Sequence, residues 1–425
     1  MKTRHSNKLI TAILVLMLHF TINAQDFVEV PAETVDLSSE RLEFLTSTFQ
    51  KYVNNGELSG AVVLIARKGQ IAYFKSFGKS DMEKNIPMEK NSIFRIASQT
   101  KAIISVGIMM LQEEGKLLIT DPVGKYIPAF NETTVAVPKE DGEYEIVKAG
   151  RPVTIRDLLT HTSGIGYGEG VAADLWQKAN IQGWYFADRD EPIQATVTRM
   201  AGLPFDAQPG EKFVYGYNTD ILGALIEVIS GESLDVFLKT RILDPLEMND
   251  THFYLPESKR KRLTVVYSPS EGGLKKAPDP GGMTGQGAYV DGPRKCCSGG
   301  AGYLSTAPDY AKFLQMLLNN GKFKDKRLLS PKTVELMTVN HLGDVPYPWA
   351  PGTGFGLGFS IVEDLGLRGL PGSVGEYGWG GAYHSTYWVD PAEELVVVYF
   401  TQLIPANGID DHEKLRALIY QAIID

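Results

Sequence analysis

Cysteine is scarce in this chain of 425 residues, which contains only Cys296 and Cys297. Because the two are adjacent, a disulfide between them would close a strained ring, so we expect two free, partly buried thiols. A small scaffold held together by disulfides is therefore excluded. The fold must instead be stabilised by an apolar core, for which 43% hydrophobic residues are sufficient.

Positively charged residues are also fewer than negatively charged ones. The 42 lysines and arginines are outnumbered by 51 acidic residues, which gives a formal net charge of −9. This balance argues against nucleic acid or an anionic membrane surface as a partner. An α/β-hydrolase esterase is excluded as well, because the chain has no Gly-x-Ser-x-Gly sequence.

Metal-ligand patterns are missing. The seven histidines are scattered, without His-x-His or His-Glu-x-x-His, so we predict no metal site and no cofactor. We interpret His161, within Thr-His-Thr-Ser-Gly, as structural. His384 follows a glycine pair and could reach a cleft, but a surface or core position fits it equally well.

An apolar run long enough to span a membrane is absent near the N-terminus. The run from Leu9 to Phe20 is about a dozen residues, against the roughly 20 that a span requires. Basic residues precede it and Asn23-Ala24 follows it, so we predict a cleavable signal peptide over residues 1–24. The mature protein, residues 25–425, is then expected in the periplasm or outside the cell. An uncleaved N-terminal anchor is the alternative.

One stretch stands out for what it contains. Ser98 and Lys101 lie where a strand-rich segment gives way to an almost unbroken apolar run that ends near Gly115. The run predicts a buried helix, and positions three apart on a helix share one face. A serine hydroxyl becomes a nucleophile when a neighbouring base takes its proton, and a neutral lysine can be that base.

The same Ser-x-x-Lys spacing occurs twice more, at Ser76 and at Ser258. Ser76 falls at a strand end, and Ser258 lies beside four consecutive basic residues that indicate a solvated turn. Neither stretch predicts a helix that would align the pair. The alternative for Ser98 is a purely structural role, in which the serine caps the helix and the lysine one turn later extends its charged end to solvent.

The remaining pattern predicts an α+β fold. Helical spacing over residues 38–55 is followed by a hairpin across Lys68 and Gly69, then by the buried helix. Residues 116–290 read as loops and helices, and strands return late. The predicted helices are 154–159, 220–230, 234–243 and 411–424, and the late strands are 356–362, 384–389 and 395–401.

Strands joined by short turns imply an antiparallel sheet, with the two terminal helices covering it. We predict a single domain. Its sheet lobe comprises about 38–97 and 291–425, and its helical lobe comprises about 98–290.

Two more stretches carry possible chemistry. Tyr215 follows a Pro-Gly turn just before a helix, where a phenol facing a lysine could exchange protons with it. The alternative is a core tyrosine. Trp379-Gly380-Gly381-Ala382 opens a late strand, where glycines allow a substrate close to the backbone and a free N–H could complete an oxyanion hole. The alternative there is a glycine-rich bulge without a ligand.

Taken together, these segments resemble the serine β-lactamase and penicillin-binding-protein-like superfamily, in its class C-like branch with related carboxylesterases and DD-peptidases. Ser98-x-x-Lys101 is similar to the nucleophile and base of that family, and Tyr215 is similar to its catalytic tyrosine. Leu158 to Ile165 and the glycine-rich Ser298 to Ala307 are typical of the branch, in the same order along the chain. The resemblance implies a site between a sheet lobe and a helical lobe.

The departures from the family pattern bear on specificity. The family's Tyr-x-Asn would place asparagine at 217, where this chain has Tyr217, followed by Asn218. Where lactamases and DD-peptidases commonly carry Lys-Thr-Gly, this chain has Trp379-Gly380-Gly381, which is similar to the esterase members. The lysine that helps to bind a carboxylate is thus replaced by an apolar face.

We therefore predict a serine hydrolase that acts through an acyl-enzyme on Ser98, with Lys101 and Tyr215 moving the proton. The N–H groups of Ser98 and Ala382 would hold the oxyanion. The predicted substrate contacts are Tyr217, Asn218, Trp379, Gly380, Gly381 and Ala382.

The expected partner is a small acyl substrate, most simply a carboxylic ester, and the oligomeric state is left open. A β-lactamase or DD-peptidase is the first alternative. A non-catalytic binding or sensor protein with the same fold is the second.

Overall fold

The structure is a computed structural model that describes residues 27–140, 142–406 and 408–425. The predicted signal peptide, residues 1–24, lies outside this part of the chain. None of the helices within the described ranges combines the length and the hydrophobicity needed to cross a membrane.

An antiparallel sheet of eight strands organises the molecule, in the order β12-β13-β14-β15-β16-β1-β2-β3. Strands that follow one another in the chain pair through short turns, except that helix α10 (Leu365–Arg368) lies between β13 and β14, whereas β1 and β16 join the early and the late part of the chain. The strands are β1 (Gly60–Arg67), β2 (Gln70–Asp81), β3 (Ile86–Pro87), β4 (Phe94–Arg95), β5 (Thr134–Pro138), β6 (Tyr144–Lys148), β7 (Tyr267–Ser270), β8 (Gly273–Lys276), β9 (Leu304–Ser305), β10 (Lys322–Phe323), β11 (Lys326–Arg327), β12 (Thr353–Phe355), β13 (Ser360–Val362), β14 (Tyr377–Gly381), β15 (Ser385–Asp390) and β16 (Leu395–Thr401).

Strands β1 and β16, in the middle of the sheet, are apolar at nearly every position because both faces of the sheet are covered. In β1, Val62 and Leu64 point into one apolar core, whereas Val63 and Ile65 point into a second core on the opposite face. Side chains alternate between the faces of a strand, so a strand buried on both faces shows no polar alternation.

Helices cover both faces of the sheet. The α-helices are α1 (Ser39–Asn54), α2 (Thr100–Glu113), α3 (Ile155–Leu159), α4 (Ala173–Lys178), α5 (Ile193–Met200), α6 (Asn218–Ser230), α7 (Leu234–Leu238), α8 (Ala307–Leu318), α9 (Pro331–Met337), α10 (Leu365–Arg368) and α11 (Asp411–Tyr420). α1 and α11 pack against one face, and their apolar residues join the smaller core. α2, α6 and α8 contribute to the larger core on the other face.

The predicted fold class is confirmed: an antiparallel sheet is flanked by the two terminal helices, and α2 to α7 lie between 98 and 290. Helix α1 begins after Ser38, whose side chain caps it, and β1 and β2 form the predicted hairpin. Both thiols are free, as expected, with Cys296 buried and Cys297 half-buried.

Two details of the prediction are wrong. Residues 116–290 are not made of loops and helices alone, because the hairpins β5–β6 and β7–β8 lie there. The predicted strand 356–362 is instead a turn followed by β13. Gly358 has a φ of +101° in that turn, and a side chain on it would collide with Ser105 of α2. A glycine held in this conformation interrupts a strand that the surrounding apolar residues suggest.

Candidate active site

Ser98 and Lys101 lie side by side, as the spacing predicts. Ser98 belongs to a 3₁₀ turn, Ala97–Gln99, which runs directly into α2. Lys101 is 2% exposed, and its Nζ donates to Ser98 Oγ at 3.2 Å. Ala97 has a φ of +43°, a region that residues other than glycine seldom occupy, so the turn before the serine is held in a strained form. The other two serines with this spacing lie in β2 and in an exposed 3₁₀ helix.

A buried carboxyl supports Lys101 through the backbone of one residue, Gly300. Lys101 Nζ donates to the C=O of Gly300 at 2.7 Å, and the N–H of Gly300 donates to Asp220 Oδ1 at 3.0 Å. The Ser298 hydroxyl donates to the same oxygen at 2.7 Å. Burial raises the pKa of Asp220, against the opposing effect of Ser298 and Lys101. The glycine-rich segment that begins at Ser298 thus fixes the position of the amine.

Tyr215 lies beside Lys101 but does not bond to it through its hydroxyl. Lys101 Nζ is 4.6 Å from the centre of the Tyr215 ring. The Tyr215 hydroxyl accepts from Nε1 of Trp379 at 3.1 Å. Its ring packs against the buried ring of His161, at 4.7 Å between centroids. The structure therefore brings the predicted tyrosine to the site, with the indole of Trp379 as its hydrogen-bond partner.

A second tyrosine, which sequence reasoning missed, contacts the lysine directly. The hydroxyl of Tyr167 accepts from Lys101 Nζ at 3.2 Å, and its ring meets Tyr215 edge-on. Burial raises the pKa of Tyr167 well above its usual value, so its hydroxyl keeps its proton. The available signal was its place just after Gly164 and Gly166 in the loop that follows the Thr-His-Thr-Ser-Gly segment.

Tyr217, predicted as a substrate contact, is corrected to a buried support. It is fully buried, and its hydroxyl donates to the C=O groups of Tyr167 and Gly183 at 3.2 and 2.9 Å. Its ring stacks between Trp176 and Phe186. A side chain enclosed in this way holds the loop that carries Tyr167 and does not line a cavity.

Asn218 is corrected for the same reason. It is fully buried at the start of α6, and its Nδ2 approaches His161 Nδ1 at 2.9 Å. Its Oδ1 accepts from the Ser163 hydroxyl at 2.5 Å. Burial and the charge of Lys101 lower the pKa of His161 well below its usual value, so this histidine is neutral. Asn218 and His161 are thus parts of the structural core behind Tyr215, and Asn218 does not turn towards Lys101.

Strand β14 forms one wall of the site. Its last residues are Trp379, Gly380 and Gly381, and Ala382 follows at the exposed end. A Cβ on Gly381 would lie 2.5 Å from the C=O of Ile96, two residues before Ser98. Only glycine lets the strand pass this close to the serine turn.

A cavity of about 490 Å³ opens between these elements. It combines the serine, aromatic rings and a polar end that includes His384. We call it the Ser98 cavity; it is lined by Ser98, Tyr167, Trp184, Tyr215, Trp349, Trp379, Gly380, Gly381, Ala382, His384, Ser385, Thr386 and His412. Tyr217 and Asn218 are not among these residues.

Comparison with known proteins identifies the family to which this chain is similar. The sequence model of the family described as Beta-lactamase matches residues 45–421. Protein Rv1367c of Mycobacterium tuberculosis is 31% identical over 376 residues, which are 86% of this chain and 90% of that protein. Esterase EstB of Burkholderia gladioli is 30% identical over 375 residues, which are 84% and 89% of the two chains.

Solved structures share the fold. EstCE1, a hydrolase with promiscuous acyltransferase activity, is similar with a TM-score of 0.76 and 26% identity, over 89% of this chain and 98% of that one. The similarity therefore extends over most of the chain.

Proposed function

The chain belongs to the Beta-lactamase family, and from this premise we propose that it is a carboxylic ester hydrolase that forms an acyl-enzyme on Ser98. The family and its esterase members support a serine hydrolase with the β-lactamase fold. The ester proposal rests chiefly on the 3.2 Å between Lys101 Nζ and Ser98 Oγ. Trp379 of β14 lines the same cavity, where lactamases and DD-peptidases commonly have a lysine.

In the proposed first step, Ser98 Oγ forms a bond to the acyl carbon. In the reactive form Lys101 is a neutral amine, so the Ser98 hydroxyl donates to Nζ across the 3.2 Å that separates the two atoms, and the proton passes to Nζ along this bond. The C–O bond to the alcohol then breaks, and the alcohol leaves with that proton. A water molecule attacks the acyl-enzyme, the acid is released, and Ser98 regains a proton.

Two tyrosine hydroxyls and two backbone amides complete the proposed machinery. Tyr167 bonds to Lys101 Nζ and so lies on the proton path. Tyr215, whose ring faces the same amine and whose hydroxyl is held by Trp379, would relay that proton from Lys101 to the leaving alcohol. The N–H groups of Ser98 and Ala382 would bind the oxyanion, which is the largest electrostatic contribution in most acyl transfers.

The lining of the cavity favours an ester over a β-lactam. Penicillins and peptidyl termini carry a carboxylate, which needs a cationic partner when it leaves water. Among the described residues that line the Ser98 cavity, none is arginine or lysine. Lys101 is buried, does not line the cavity, and is already bonded to Gly300 and Tyr167, so it does not serve as that cationic partner. A neutral acyl substrate fits such a lining better.

A turnover assay tests the proposal. Hydrolysis of p-nitrophenyl butyrate and of a chromogenic cephalosporin would be measured on the same preparation, with Ser98→Ala as the negative control and Ser76→Ala as a matched serine variant. We expect ester turnover in the wild type and in Ser76→Ala, none in Ser98→Ala, and little cephalosporin cleavage.

Either of two results would contradict the proposal. Full ester turnover in Ser98→Ala would remove the assigned nucleophile. Cephalosporin cleavage faster than ester cleavage would favour the β-lactamase or DD-peptidase alternative, and would mean that the carboxylate is bound without a lysine on β14.

Export is a separate proposal, supported by the basic start and the short apolar run before residue 24. Expression of the full chain in a Gram-negative host tests it. Recovery from the periplasm, with a mass that corresponds to cleavage after Ala24, is expected. Full-length protein in the membrane fraction would instead indicate an uncleaved anchor.

A further inference from the structure

The polar end of the Ser98 cavity has no part in the proposed chemistry. His384 follows the end of β14, and Asp411 and His412 begin α11. Both histidine side chains line the cavity, whereas Asp411 is fully buried behind them. We call these three residues the histidine cluster.

The cluster is tightly ordered by its own contacts. His384 Nε2 bonds to Asp411 Oδ1 at 2.7 Å, and the other carboxylate oxygen accepts from the Tyr399 hydroxyl at 2.6 Å. The two imidazole rings stack with 4.1 Å between centroids and 9° between planes. His412 Nε2 lies 3.3 Å from the C=O of His384. The stacked ring and the Asp411 carboxylate therefore fix the orientation of His384, and the stacked ring and the C=O of His384 fix that of His412.

These contacts assign the nitrogens. Although burial favours the neutral acid, the bonds from His384 and Tyr399 keep the pKa of Asp411 below its usual value, so the carboxylate accepts. A carbonyl oxygen also only accepts, so Nε2 of both rings carries hydrogen. Burial lowers the pKa of His412 to about 4, so this ring is neutral at pH 7 and its Nδ1 is an acceptor. Among the described residues, neither Nδ1 has a protein hydrogen-bond partner.

Metal binding does not fit this arrangement. Ligand atoms of the three residues lie within 4.8 Å of one another, a spacing that could hold an ion. An imidazole, however, binds a metal in the plane of its ring. The two rings are parallel and stacked about 4 Å apart, so a single ion cannot lie in both planes.

A carboxylate ligand fits poorly as well. It would face the lone pair on Nδ1 of His412, with the buried charge of Asp411 behind the rings. A hydroxyl group suits the cluster in either state of His384, because a hydroxyl donates to an unprotonated Nδ1 and accepts from a protonated one.

The rest of the lining adds flat apolar surface. The rings of Trp184, Trp349 and Trp379 share the cavity with the cluster, and Trp349 is 54% exposed. A ligand that matches both parts needs apolar C–H faces and several hydroxyls. Polyols and sugar rings have this combination, whereas purely hydrocarbon alcohols lack the second part.

We propose that the histidine cluster is a subsite for hydroxyl groups of the substrate, and that the natural substrates are acyl esters of a sugar or another polyol. The inference rests on the proposed ester hydrolysis at Ser98 and assigns the hydroxylated part to the end of the cavity that His384 and His412 line.

Matched acetyl esters test the subsite. A monoacetylated methyl hexopyranoside would be compared with cyclohexylmethyl acetate, and monoacetylglycerol would separate a ring from an open-chain polyol. The measured quantity is the ratio of kcat/KM for each polyol ester to that for the apolar ester. We expect a ratio above about 10 in the wild type, consistent with one or two added hydrogen bonds.

Two variants remove the hydroxyl partners. His412→Phe keeps a stacked ring and removes the acceptor; His384→Gly removes the imidazole and tolerates the φ of +65° at that position. We expect each to lower the ratio about 2- to 10-fold, chiefly through KM. His341→Asn is the control, because His341 bonds to the C=O of Leu336 outside this cavity and should leave the ratio unchanged.

The outcomes are distinct. If p-nitrophenyl acetate is hydrolysed but the ratio is near 1, or does not change in either variant, the subsite is refuted while the proposed function stands. If no ester is hydrolysed, both are refuted. A ratio that changes with added zinc or with a chelator would overturn the ring-plane argument and assign the cluster to a metal instead.

Discussion

At the scale of single residues, the site depends on where one amine is held. Lys101 Nζ has three bonded neighbours: Ser98, Tyr167 and the C=O of Gly300. These contacts come from separate stretches of the chain, so a small shift in any of them changes the geometry of proton transfer.

Lys101→Met is expected to lower kcat for an ester substrate about a thousandfold, because general-base catalysis contributes roughly 10² to 10⁴. Lys101→Arg should not restore activity, since a guanidinium stays protonated and cannot accept the proton of Ser98. Initial rates of p-nitrophenyl butyrate hydrolysis measure both. Lys79→Ala, from the equivalent spacing in β2, is the control, and an active Lys101→Met enzyme would contradict the assignment.

Tyr167→Phe removes a hydroxyl that bonds directly to the amine of Lys101. We expect kcat to fall by about 10-fold, the effect of one hydrogen bond on a charged or reacting group. The limb of the pH–rate profile that reports the base should shift in the same variant. Tyr144→Phe is a matched control, because Tyr144 lies in the hairpin β5–β6 and its hydroxyl bonds to Asp174 of α4 at an exposed position. An unchanged rate and profile would show that Tyr167 only packs against the site.

Residue types and spacing predicted Ser98 and Lys101 as neighbours, and the resemblance to the family added Tyr215. The roles of Tyr167, Tyr217 and Asn218 could not be predicted in this way. Tyr167 approaches Lys101 through a loop, and only the fold shows that Tyr217 is enclosed between two other aromatic rings. A motif specifies which residues occur, whereas burial decides which of them reach the cavity.

At the scale of elements, the site is a contact between the start of α2 and the end of β14. The close approach at Gly381 determines the distance between the serine turn and the strand. The sequence predicted the strand and the helix separately, since each has its own hydrophobic pattern. It did not predict β5 to β8, because these short hairpins lie at the surface and have little apolar periodicity.

Gly381→Ala is expected to reduce kcat about 100-fold. Its Cβ would lie 2.5 Å from the C=O of Ile96, which forces the strand and the serine turn apart, and a displacement of about 1 Å can cost that much. Gly272→Ala is the control, because a Cβ added at this surface turn would meet no other atom within 4 Å. The value of kcat reports a change in the geometry of the site, and a thermal melt reports a change in stability. A wild-type kcat in Gly381→Ala would refute the close approach.

At the scale of the whole molecule, helices α1 and α11 close one face of the sheet. α1 and α11 pack on the same core, and β1 pairs with β16, although more than 300 residues separate them in sequence. This closure places Asp411 and His412 at the cavity, so a terminal helix contributes both to stability and to the polar end of the site. Apolar periodicity predicted both helices, but not that α11 would reach the cavity.

Leu415→Ala in α11 is expected to lower the free energy of unfolding by about 2 to 5 kcal/mol, because Leu415 is fully buried between the helix and the sheet. Urea unfolding followed by fluorescence measures the change. Glu413→Ala, at an exposed position of the same helix, should change it by less than about 0.5 kcal/mol. Equal effects in the two variants would mean that α11 does not cover the core.

The central claim is that Ser98 is the nucleophile, and covalent labelling tests it most directly. The protein and its Ser98→Ala variant would be treated with a fluorophosphonate, and the intact masses and digested peptides compared. We predict one adduct per chain in the wild type, mapped to Ser98, and none in the variant. An adduct that persists in Ser98→Ala, or a wild type that stays unlabelled while it hydrolyses esters, would contradict the account.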